Sequence, residues 1–110
     1  MEVVITSGTD GKVDSGSTTG LATAGAAGKL VKIEHTPLGG TSQPTADWDL
    51  YITDQHDLAL ASDEGCSNTA TELMAITTTN GVDYIEGPLK VRAANMGDAK
   101  KAIIRFYFDT

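Results

Sequence analysis

The sequence predicts an all-β fold: a single antiparallel β-sandwich of about seven to eight strands, with jelly-roll and immunoglobulin-like connectivities both open. Three observations predict it. Short runs rich in Val, Ile, Thr and aromatic residues alternate apolar with polar side chains, the period of a strand with one face in a core and one in water. Clusters of Gly, Pro, Asn and Asp separate these runs, at intervals of about 8–12 residues typical of sandwiches. No segment sustains a helical period.

The clearest run lies between Gly87 and Phe108. Leu89–Ala93 alternates apolar and basic residues, and Asn95-Met96-Gly97-Asp98 reads as a polar turn. Beyond it, Ala102, Ile104, Phe106 and Phe108 share one face of a second strand, and Lys101, Ile103, Arg105 and Tyr107 the other. The two strands read as a terminal hairpin. An apolar Ile103 and a Tyr107 on its outer face suggest a sheet that touches something else.

Earlier in the chain, the β-branched run Glu2–Ser7 makes a first strand, and Gly8–Gly11 a turn. From Lys12 to Gly28 the residues are mostly Gly, Ser, Thr and Ala, whose small side chains bury too little area to offset chain entropy. Residues 1–28 therefore read as a strand followed by a flexible arm, either a surface loop or a segment that orders on a neighbouring subunit. Residues 29–110 read as the sandwich itself.

Lys29–His35 is a strand, with Val31 and Ile33 as its main apolar content. Thr36–Pro44 is turn chemistry. Trp48, Leu50 and Ile52 share the core face of the next strand, where the one tryptophan matters most to a sparse core. Gln55-His56-Asp57 reads as a tight turn, Leu58–Ala61 as a short returning strand, and Ser62–Ala70 as a polar loop holding Cys66. Thr71–Thr77 fits either a strand or one helical turn begun by a Thr69/Glu72 capping box. Asn80-Gly81 is a hairpin signal, leading into Val82–Ile85.

Composition narrows the function. One hundred and ten residues make one domain. With 40% apolar residues, many of them alanine, and 5% aromatics, the core is thin for the length. A formal charge of -7 with eight scattered basic residues argues against nucleic acid, and suits solubility or docking on a basic protein surface. A lone cysteine gives no internal disulfide. No stretch approaches the ~20 apolar residues of a membrane span, and the N-terminus lacks the pattern of a signal peptide. These features lead us to expect synthesis in a reducing cytoplasm.

The acidic residues Asp47, Asp49, Asp54, Asp57, Asp63 and Glu64 are dense but lack calcium-loop spacing. They read as a solvated rim, with Asp54 and Asp57 the best remaining pair. Cys66 beside His35 or His56 could only act as a nucleophile with a base and a third orienting group, and no motif marks one. No phosphate-binding glycine loop occurs. The expectation is therefore no enzyme, no cofactor and no metal. Lys90, Arg92, Lys100, Lys101 and Arg105 make a basic face on the terminal strands. It reads either as a solvated sheet face or as a contact surface anchored by Ile103 and Tyr107.

The strands at Lys29–His35 and Trp48–Thr53, and the ending G-P-L-K-V-R-A-A-N-M-G-D-A-K-K-A-I-I-R-F-Y-F, resemble small β-sandwich proteins encoded among the virion genes of tailed bacteriophages. The likeness covers about two-thirds of the chain and brings no catalytic residue; the Gly/Ala/Thr-rich arm is less typical of the family. The resemblance implies a structural virion protein on the capsid exterior, a decoration or cement protein bound to the major capsid protein or other virion proteins. Sheet edges available for pairing with a neighbour's strand lead us further to expect a dimer or trimer, with Ile103, Arg105 and Tyr107 at a subunit contact. A tail or fibre-associated component, or a carbohydrate- or protein-binding module, are the alternatives.

Overall fold

The computed structural model describes residues 2–13, 22–23, 27–54, 58–76, 84–86 and 89–109. Among these residues nine strands form two antiparallel sheets: β1 (Glu2–Thr6), β2 (Ala22–Thr23), β3 (Ala27–Pro37), β4 (Trp48–Thr53), β5 (Ala59–Cys66), β6 (Glu72–Met74), β7 (Tyr84–Glu86), β8 (Leu89–Ala94) and β9 (Lys101–Asp109). The first sheet runs β1-β9-β3-β6, with β7 also on β3, and the second runs β2-β8-β4-β5.

That order selects the jelly roll. Laid out as one long hairpin, the chain sets β1 against β9, β2 against β8, β3 against β6 and β7, and β4 against β5. Rolling the hairpin up then brings β9 beside β3 and β8 beside β4, which makes two sheets from interleaved strands. Glu2–Thr6 and Ala22–Thr23, both within the stretch expected as a leading strand and arm, each supply a strand to one of the sheets. Val13 bridges Ala93 and is buried.

The core lies between the sheets. From the first come Val3, Ile5, Leu30, Ile33, Ile104 and Phe106, and from the second Trp48, Leu50, Ile52, Leu89 and Val91. Strand alternation places them correctly in β4, β8 and β9. In β3 the expected faces need correction, since Leu30 is buried and Val31 is exposed. From Leu30 to Lys32 β3 advances two residues while β9 advances one, from Phe108 to Tyr107, so Val31 is the extra residue of a β-bulge and is pushed out of the core.

The expected terminal hairpin also needs correction. β8 and β9 are consecutive but lie in opposite sheets, so their apolar faces meet across the core instead of side by side. Alternation reports which face is buried, not which neighbour completes the ladder. The connecting turn is not simply polar either. Met96 is wholly buried, and Gly97 adopts φ 91° with Thr45 Oγ1 3.0 Å from where a Cβ would sit, so only glycine fits there.

Other boundaries move as well. Thr36 and Pro37 belong to β3, with a single 3₁₀ turn at Gly40–Ser42. The expected loop at Ser62–Ala70 is half strand, because β5 continues to Cys66. The ambiguous Thr71–Thr77 contains the strand β6. Gln55-His56-Asp57 and Asn80-Gly81 lie outside the described residues. The strands flanking Asn80-Gly81 do not form a hairpin ladder, since β6 and β7 both run antiparallel to β3.

Candidate functional site

The outer face of the first sheet is built from every second residue of β1, β9 and β3 and from Leu73 of β6. Register sets Glu2 beside Arg105, Arg105 beside Glu34, and Glu34 beside Leu73, in one row across four strands. The next row holds Val4, Ile103 and Thr36, and on the other side Tyr107 pairs with Lys32.

Arg105 is the centre of this face. Its Nε donates to Glu2 Oε2 at 2.9 Å and its Nη1 to Thr36 Oγ1 at 3.1 Å, with Glu34 Oε1 3.6 Å from Nη1. Tyr107 donates its hydroxyl to Glu34 Oε1 at 3.3 Å, and Lys32 Nζ lies 4.6 Å from the Tyr107 ring centroid. Each charge on the row therefore has an opposite neighbour, and the guanidinium is held in one orientation by its contacts within the sheet.

Apolar side chains surround that network. Five large apolar side chains are exposed among the described residues, and four of them, Val4 (49%), Val31 (50%), Leu73 (63%) and Tyr107 (39%), project from this sheet. Single exposed apolar residues are ordinary; their concentration on one sheet face, around a half-buried Ile103, makes that face the candidate contact surface.

Lys90 and Arg92 are elsewhere. They alternate with the buried Leu89, Val91 and Ala93 and so project from the outer face of the second sheet. The basic face expected from the terminal strands is thus divided between opposite sides of the sandwich. The sequence could not show this, because the division follows from β8 and β9 joining different sheets.

The acidic rim does not converge either. Asp49 accepts from Asn95 Nδ2 at 2.6 Å, and Asp54 Oδ1 accepts from the Leu58 amide at 2.9 Å. Asp57 and His56 lie outside the described residues. Asp63 instead turns into the molecule, where its Oδ2 is 3.3 Å from Nε2 of the wholly buried His35. Sequence reasoning paired His35 and Cys66 only as a remote catalytic option and missed Asp63 as their neighbour. Burial first, then the charges of Asp63 and Glu72, push the Cys66 thiol well above its ordinary range, which disfavours the thiolate a nucleophile needs.

Fold and surface together define a class: a jelly-roll β-sandwich with one apolar, charge-laced outer face. No family model matches the chain, and neither any curated protein nor any solved structure does so.

Proposed function

We propose that this jelly roll is a structural virion protein that decorates or cements the head shell of a tailed bacteriophage, made in the host cytoplasm and held on the capsid exterior by protein contacts. The carrying observation is the outer face of the first sheet, where Val4, Leu73 and Tyr107 flank the fixed Arg105. Tyr and Arg set among apolar neighbours are the composition of interface hot spots.

The jelly-roll order supports the reading without deciding it, since viral capsid domains, lectins and cupins all use it. β1 and β6 end the main strand order of the first sheet, and their outer edges suit strand pairing with a second copy or with the shell. In the proposed assembly the protein is a dimer or trimer in contact with the major capsid protein, and Lys90 and Arg92 lie on the opposite side, outside the patch.

A sugar-binding module needs a row of exposed aromatics. Trp48 is wholly buried, and Tyr51 is half-buried on the second sheet, away from Tyr107. A tail component is separated by stoichiometry. Quantitative gel analysis of purified particles should find hundreds of copies per head. A multiple of six, or fewer than about twenty copies, places the protein in the tail, and its absence from particles overturns the reading.

A further inference from the structure

We propose that His35, Asp63, Cys66 and Glu72 form a zinc site that clasps the two sheets together at the edge where β5 faces β6. Ligand-bearing atoms of His35, Asp63 and Cys66 all lie within 4.8 Å of one another. His35 Nε2 is 3.3 Å from Asp63 Oδ2 and 3.6 Å from Glu72 Oε1. A tetrahedral zinc with bonds of about 2.0–2.3 Å sets neighbouring donors about 3.3–3.6 Å apart, so each carboxylate already stands at ligand spacing from the histidine. The separations among His35, Asp63 and Cys66 need to shrink by no more than about an ångström to reach that spacing.

The backbone is arranged to bring these groups together. Asp63 and Cys66 are three residues apart on a strand and would ordinarily point to opposite faces. Between them β5 advances three residues while β4 advances two, from Leu50 to Trp48. This bulge turns both side chains inward, the re-aiming that bulges perform beside functional sites. His35 comes from β3, and Glu72 is its partner across the ladder on β6.

An outer shell holds the carboxylates. The Gly65 amide donates to Asp63 Oδ1 at 3.0 Å, and the Ser67 amide donates to Glu72 Oε1 at 2.6 Å, while Asp63 Oδ2 remains directed at the histidine. One nitrogen, two oxygens and a sulfur suit zinc and exclude calcium and magnesium, which require all-oxygen sets.

His35 Nδ1 is buried without a partner, and this sets the affinity. His35 Nε2 faces the carboxylates of Asp63 and Glu72. Zinc takes the lone pair of Nε2, so the ring proton sits on Nδ1 in the complex, and the thiol proton leaves to solvent as the Zn–S bond forms. A ligating histidine without an outer-shell partner loses about 10–100-fold in affinity relative to one that has it. The site is independent of what the outer face of the first sheet contacts.

The test uses the full chain without a tag, stripped by chelator and titrated with zinc chloride and, separately, cobalt chloride. Calorimetry should give one zinc per chain and a raised melting temperature. Cobalt should produce a thiolate charge-transfer band with tetrahedral visible absorption. Asp63→Asn should weaken binding at least tenfold, and Cys66→Ser should abolish the charge-transfer band. Absence of saturable binding below millimolar zinc overturns the proposal, as does binding that both variants leave unchanged. Should a variant fail to fold, the wild-type cobalt spectrum decides alone, since a complex without the thiolate band rules the site out.

Discussion

Arg105 Nε donates to Glu2 Oε2 at 2.9 Å, joining residues 103 positions apart in sequence. The contact ties the first strand to the last and fixes the guanidinium at the middle of the proposed docking face. Arg105→Ala leaves Glu2 without this partner. Arg105 is about one-third exposed, so screening limits the effect to about 0.5–1 kcal/mol. Chemical denaturation with urea should show that loss at low ionic strength and a smaller one in ~1 M salt. An equal loss at both would mean that Arg105 acts through packing and not through charge.

Trp48 is where the thin core is concentrated. Its ring meets His35 edge to face with centroids 5.4 Å apart, and its Nε1 donates to the Ser67 carbonyl at 3.0 Å. Trp48→Phe keeps an aromatic ring but leaves that carbonyl unpaired and a void beside His35. The expected cost is about 2–3 kcal/mol, seen in a thermal scan as a fall of about 10 °C or more. A shift of one or two degrees would show that the indole hydrogen bond contributes little.

Cys66 gives the protein an alkaline limb. Its thiol is held above the ordinary value of 9.0 first by burial, then by Asp63 and Glu72. The folded state therefore keeps a proton that the unfolded state releases above that value. Stability is fully present below about pH 9 and falls as pH rises beyond it. The comparison is between wild type and Cys66→Ala, both with chelator present, by urea unfolding across the alkaline range. The wild type should lose stability more steeply than the variant, and parallel curves would refute the assignment.

Strand alternation made much of this fold legible, and bulges hid part of it. Trp48, Leu50 and Ile52 are read correctly because β4 keeps its period across those positions. Val31 is misread because it is the extra residue of a bulge, and Cys66 is misread as a loop residue because the polar Ser62–Gly65 stretch of β5, which carries a second bulge, lacks a clear alternation. The pairing of His35 with Asp63 depends on two sheets meeting, and no local pattern encodes that meeting. For the same reason Ile103, Arg105 and Tyr107 could be placed on one face from sequence, whereas Lys90 and Arg92 were joined to them wrongly. Both groups sit on outward positions of their strands, and only the strand order shows that those outward sides are opposite.

The central claim is that the outer face of the first sheet grips the shell. Its most direct test is co-sedimentation of the purified protein with head shells lacking it, for wild type, for Leu73→Asp/Tyr107→Ala, and for Arg92→Glu on the opposite face. Leu73 and Tyr107 are exposed, and Tyr107→Ala also removes the contacts with Glu34 and Lys32, so the double replacement should cost about 1–2 kcal/mol and leave the protein folded. The account predicts that wild type and Arg92→Glu pellet with shells at equal occupancy while Leu73→Asp/Tyr107→Ala stays in the supernatant. Undiminished binding by Leu73→Asp/Tyr107→Ala would contradict it.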